Sequence, residues 1–212
     1  MLQRPAMVDV SRIIPLGQRC RLTHNLRRHY GFTTGYPFDW YILPLKGLLE
    51  ILRQDLDPGG IYREDLLEEQ RDEAGRVRHI RHRRLGIIHE HDFDKEADVV
   101  VPHWREQIPR AAARFASLAG RLRERAPGPP PLFVRERHGA DKPEQLLALR
   151  DALAALQPGG FHLLAVNYHA GTVPGGIPAI RVEEKPGFGW RGDPEAWSAA
   201  LEASGFRLAA PG

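Results

Sequence analysis

A disulfide framework is out of reach for this chain, which holds one cysteine in 212 residues. A lone thiol fits a reducing compartment and leaves stability to the apolar core. No apolar run approaches the roughly 20 residues that cross a bilayer. The N-terminal MLQRPAMVDVSR lacks the apolar centre of a signal peptide. Cytoplasmic residence without a membrane partner is the expectation. Charge of one sign is scarce as well: 30 Lys and Arg face 27 Asp and Glu, leaving a net charge of +3. The two signs intermix along the chain, and no aromatic-plus-basic reader motif stands out, so no nucleic-acid partner is expected.

What is present suits one globular domain. Apolar residues make up 42% and charged residues 27%, which supports a packed core over 1–212. Val8–Leu16 reads as a first strand and Gly17 ends it. Cys20–Tyr30 reads as a helix with Leu22 and Leu26 inward and Arg27 and Arg28 outward. Leu45–Leu56, Pro102–Arg125, Lys142–Leu156 and a segment opened by Asp193-Pro194 read as further helices. Leu85–His89, Pro131–Glu136 and Phe161–Val166 read as strands, with Ile177–Glu183 and Phe206–Ala209 as weaker ones. A basic hairpin inserted near 61–84 is a second reading of that charged stretch, turning at Glu73-Ala74-Gly75. Pro127–Pro131 reads as a loop inside the domain. Strands alternating with helices predict an α/β fold: a single three-layer domain, a mostly parallel sheet with helices on both faces.

Ligands of open parallel sheets bind beyond the carboxyl ends of the strands. Beyond these ends lie Gln18, Arg19 and Cys20; then His89, Glu90, His91 and Asp92; then Arg135, Arg137 and His138; then Asn167 and His169. Cys20 has two readings. At a helix N-terminus a thiolate is stabilised, whereas a free cysteine is more often simply buried. His89 and His91 with Asp92 or Asp94 resemble a weak metal pattern, but no third histidine stands at ligand spacing, so neither metal nor cofactor is expected. Asp39, between Phe38 and Trp40, either orients a histidine or caps the following helix. Arg135 and Arg137 either hold an anion or pair with Glu136 and Asp141.

Several of these residues together resemble a family. Ile13-Ile14-Pro15-Leu16-Gly17-Gln18-Arg19-Cys20, Asn25-Leu26-Arg27, Pro37-Phe38-Asp39-Trp40, His91-Asp92-Phe93 and Leu132-Phe133-Val134-Arg135 are similar to the motifs of an uncharacterised, mainly bacterial family. That family is catalogued as a domain of unknown function and described as a papain-like cysteine peptidase. The resemblance covers the first two thirds of the chain. It implies Cys20 as nucleophile, His91 as base, and Asp39 or Asn167 as orienter, and the order Cys20, His91, Asn167 matches that of papain-like enzymes. The alternating α/β pattern departs from a papain fold.

The expected function is therefore a cysteine-dependent hydrolase with a Cys–His site. Cys20, His91, Asp39 and Asn167 would be catalytic; Gln18, Arg19, Trp40, His89, Arg135 and His138 would line the substrate. The substrate would be a peptide, or an anionic or glycan-type ligand. An alternative is a transferase or binding domain for the latter class, using Arg19, Arg135 and His138 with Cys20 as packing. A third is an interaction module whose pocket is filled by Trp40 and Phe93.

Overall fold

The computed structural model describes residues 7–125, 128–137, 139–169 and 173–210. His138 and Pro127 lie outside these. Among the described residues the first expected strand is two, because the chain changes partners at Ser11-Arg12. β1 (Val8–Val10) has an exposed first half, while β2 (Ile13–Pro15) is fully buried. α1 (Cys20–Tyr30) follows and ends at Gly31, whose φ of 72° lets its N–H reach the Arg27 carbonyl. Then come β3 (Tyr41–Ile42), α2 (Leu45–Arg53) and the short α3 (Pro58–Ile61), where Asp57 caps a new turn instead of only ending the last one.

β4 (Leu67–Arg71) and β5 (Val77–His82) form the hairpin read near 61–84. Its turn is held by Asp72 Oδ1, which accepts from Ala74 and Arg76. The hairpin belongs to a sheet with β6 (Ile88–His89). β7 (Lys95–Glu96) and β8 (Val99–Val100) make a small hairpin. α4 (Ile108–Arg123) starts later than expected, after a 3-10 turn over Trp104–Gln107. Pro109 lacks an N–H and is best placed in the first turn. β9 (Leu132–Glu136), α5 (Gln145–Leu156), β10 (His162–Val166), β11 (Ala179–Ile180), α6 (Pro194–Ala203) and β12 (Phe206–Leu208) complete the order.

The fold is α/β, with two four-stranded sheets of opposite kind. β11-β10-β9-β2 is parallel throughout, and β3-β6-β5-β4 is antiparallel. β1 pairs with β12 in parallel at one side. The mostly parallel expectation thus describes only part of the strands. Leu85–His89 was expected to be a parallel strand, but Gly86 takes a φ of 71° and breaks the run. Only Ile88 and His89 remain to pair, antiparallel, with β3 and β5.

Alternation along the parallel strands divides the core. Ile14, Phe133, Leu163 and Ala165 pack with residues of α2, α4 and α5. Ile13, Leu132, Val134, Leu164 and Val166 pack with Leu22 and Leu26 of α1 and Trp197 and Leu201 of α6. Burial of Leu22 and Leu26, both wholly buried, contributes about 1.5–3 kcal/mol each and fixes α1 to the sheet. α2 comes so close to the second sheet that a Cβ on Gly47 would stand 2.1 Å from the Leu85 carbonyl.

Candidate active site

The turn before Cys20 is unusual backbone. Gly17 has φ 72° and Gln18 has φ 102°. Gln18 is not a glycine, so this conformation costs roughly 1–3 kcal/mol. Its side chain is buried, and Oε1 has no hydrogen-bond partner among the described residues. Arg19 is extended at the N-cap without a side-chain cap, and Cys20 is the first helical residue. The thiol therefore stands beside free backbone N–H groups at the start of α1.

His91 arrives from the other sheet. The register pairs Tyr41 with His89 in antiparallel β3 and β6, so the chain just before β3 runs beside the chain just after β6. Trp40 thereby meets His91, ring centroids 5.6 Å apart and nearly perpendicular. Thr23 of α1 donates to the Asp39 carbonyl and ties this segment to the cysteine helix. Cys20 Sγ then lies 3.8 Å from His91 Nε2 and 3.8 Å from the Trp40 carbonyl oxygen. A cavity of about 200 Å³ opens alongside, walled by Trp40, His91, Asp39, Arg27, Arg114 and Phe115.

Both members of the pair are held neutral. Burial pushes the Cys20 thiol up to about 11, with the Glu90 carboxylate adding to the rise and Lys95 opposing it. This reverses the expectation of a thiol lowered by the helix terminus, because desolvation penalises the thiolate more than the surrounding donors favour it. Burial also lowers His91 below its usual value, partly offset by Glu90. Glu90 is itself paired with Lys95 Nζ at 3.2 Å.

Asp39 does not orient His91. It is buried, pairs with Arg27 Nη2 at 2.6 Å, and accepts from the Tyr36 N–H at 3.1 Å. Burial still raises its carboxyl to about 6 against these two favourable partners, so at neutral pH it is ionised and the ion pair is formed. Arg27 was expected to face outward. Instead its guanidinium lies 5.3 Å from the Trp40 ring centroid and 5.9 Å from that of Phe32. The signal was in the spacing: Arg27 is seven residues after Cys20, hence on the same helix face two turns on.

The remaining expected residues scatter. Asn167 is held elsewhere, its Nδ2 on Glu136 and its Oδ1 accepting from Val182; it does not join Cys20 and His91. Arg135 is wholly buried, with both terminal nitrogens engaged and Nε without a partner among the described residues. It donates to the carbonyls of Leu16 and Leu43, 2.9 Å each, and to Asp141 Oδ2 at 2.5 Å. Asp141 in turn accepts from the Leu45 N–H that opens α2. Arg135 therefore fastens the end of β2 to the start of α2 and offers nothing to a ligand. His89 is buried among Tyr41, Tyr62 and Phe93, with Nδ1 2.7 Å from Asp92 Oδ2. Tyr62 also donates to Asp92, at 2.9 Å, and meets Tyr41 oxygen to oxygen at 2.6 Å. This places His89 in an internal network through Nδ1, while its buried Nε2 has no hydrogen-bond partner among the described residues. Phe93 packs on Trp104, 5.2 Å between centroids, away from the thiol. Arg19 is exposed.

Sequence reasoning missed Arg27, Lys95 and Arg114 as groups around the pair, and gave Glu90 no role. Only the antiparallel register brings Glu90 and Lys95 to the thiol. Among the described residues, no cluster of three or more His, Cys, Asp or Glu is placed to hold a metal ion, and no helix is long and apolar enough to cross a membrane. Comparison with protein-family models, with curated proteins and with solved structures finds no match.

Proposed function

We propose that the protein is a cysteine-dependent hydrolase acting by acyl transfer, with Cys20 as nucleophile and His91 as general base. The observation that carries this is the 3.8 Å approach of Cys20 Sγ to His91 Nε2 from positions 71 residues apart in the chain. The scaffold is read as three layers around the parallel sheet, with α1 at its rim.

A neutral thiol beside a neutral imidazole calls for base catalysis during attack rather than a standing ion pair. As Sγ bonds to the substrate carbonyl carbon, its proton passes to His91 Nε2. The carbonyl oxygen takes up the negative charge and faces N–H groups at the start of α1. Collapse breaks the bond to the leaving nitrogen or oxygen, which takes the proton from His91. Water, deprotonated by His91, then cleaves the thioester and restores the thiol. Trp40 holds both partners in place, its carbonyl against the sulfur and its ring against the imidazole. Arg27 and Asp39 brace Trp40 from behind.

Of the residues the anionic-ligand alternative would use, the Arg135 guanidinium is engaged inside the fold, Arg19 is exposed, and His138 lies outside the described residues. Incubation with p-nitrophenyl acetate tests the hydrolase reading. Intact-mass analysis is expected to find an acetyl group on Cys20, absent in Cys20→Ala and formed far more slowly in His91→Ala. Equal acetylation with and without His91 would end the proposal.

A further inference from the structure

The loop from Lys185 to Gly192, on the other side of α1 from Trp40, carries the two most exposed aromatic rings among the described residues: Phe188 at 46% and Trp190 at 59%. Such a loop would ordinarily be left slack. This one is fastened by buried polar groups. Asn25, wholly buried, donates to the Arg191 carbonyl at 2.7 Å, while its own Oδ1 is left without a partner. Glu136, also buried, pairs with Arg21, and Arg21 pairs with Glu184 at 2.8 Å. Glu184 then accepts from Trp197 Nε1 at 2.8 Å and from the Asp193 N–H at 3.2 Å. A Cβ on Gly192 would stand 2.0 Å from Glu184 Oε1, so the chain can pass only as glycine. Burying Asn25 and Glu136 with unmet oxygens is unfavourable, and what it secures is the shape of an exposed aromatic ledge. Such preorganisation is characteristic of a recognition surface.

Charge and ring geometry narrow the partner. No acidic residue lies between Lys185 and Gly192. The carboxylates at its two ends, Glu184 and Asp193, are turned into the hydrogen bonds above and into the cap of α6. Lys185 and Arg191 are exposed. Arg191 lies over the Trp190 ring, 5.4 Å from its centroid, and His24 meets the same ring at 5.5 Å. A ring flanked in this way is a poor platform for stacking a base. It is well suited to entering an interface edge-first, with cations at its side. We propose that Phe188 and Trp190 form a ledge that docks this protein on an anionic lipid surface, the rings at headgroup depth and Lys185 and Arg191 on the lipid phosphates. This is independent of the thiol chemistry and concerns surface attachment, not a membrane span.

Flotation of the full chain with vesicles tests it. Phosphatidylcholine mixed with phosphatidylglycerol is expected to carry the protein upward, and pure phosphatidylcholine to leave it below. Trp104 and Trp197 are buried and Trp40 is half-buried, so a blue shift of tryptophan emission on mixing is assigned to Trp190 by its loss in Trp190→Ser. The double variant Phe188→Ser, Trp190→Ser is expected to stay below, with unchanged far-ultraviolet circular dichroism. Lys185→Gln and Arg191→Gln are each expected to weaken binding about fivefold. Failure of the wild-type chain to float with anionic vesicles overturns the proposal, as does flotation of the double variant at wild-type level. Quenching of Trp190 by single-stranded oligothymidylate, with displacement of the protein from vesicles, would replace the lipid by a nucleic-acid ligand.

Discussion

Burial sets how reactive Cys20 can be, and Glu90 adds to it. Its carboxylate adds to the burial that holds the thiol near 11, so native Cys20 should react slowly with iodoacetamide at pH 7 and faster as pH rises. Glu90→Gln removes a negative charge from beside the sulfur, which favours the thiolate. The expected outcome is a lower apparent thiol pKa and several-fold faster alkylation at pH 8, read from rate against pH. An unchanged profile would mean that Glu90 does not act on the sulfur. At this scale the sequence was legible where chemistry is carried by rare residue types. The single cysteine and His91 do meet. The actual partners of Asp39 and Asn167, Arg27 and Glu136 rather than His91, were not legible, because a side chain's partner depends on which strands lie next to one another. Arg135 followed the same rule: its alternative pairing with Asp141 is the one formed.

Among the elements, α1 is held at both sides of its start, by Arg135 below the turn and by the Trp40 segment beside it. Arg135→Met would remove the buried guanidinium that pairs with Asp141 and donates to the Leu16 and Leu43 carbonyls. The expected cost is about 3–5 kcal/mol of stability, measured as a fall in the urea midpoint. Arg135→Lys keeps the charge but not the fork that reaches both carbonyls and Asp141, and is expected to recover only part of that loss. Helices were the readable elements. Leu22 and Leu26, the Asp193-Pro194 start of α6 and the apolar stripe of α5 all stand as expected. The two-residue strands β3 and β6 were beyond reach, since two residues show no period, and their antiparallel pairing rests on contacts distant in sequence.

For the molecule as a whole, Asp39 couples stability to pH. Its folded value of about 6 stands above the usual 3.8, so the folded state binds this proton more tightly than the unfolded chain does. The contribution is fully present below about pH 4, and it is lost as pH rises through about 6. Asp39→Asn should remove that slope, which urea midpoints across this range would reveal as a wild-type curve falling relative to the variant. Such a slope follows from burial, which the apolar neighbours Phe38 and Trp40 already suggested. The two-sheet architecture was not suggested, because hydrophobic alternation reports a buried face without reporting strand direction.

Cys20 and His91 meet across the join between those two sheets. Cys20 follows a strand of the parallel one, and His91 follows a strand of the antiparallel one. Closing so long a stretch of chain is entropically slow compared with forming α1 or the β4–β5 hairpin. The thiol should therefore meet His91 only at the end of folding, after both sheets have formed and docked. A half-folded chain would carry a cysteine with no imidazole beside it, and on the proposed mechanism the appearance of His91-dependent acetylation during refolding would time that final step.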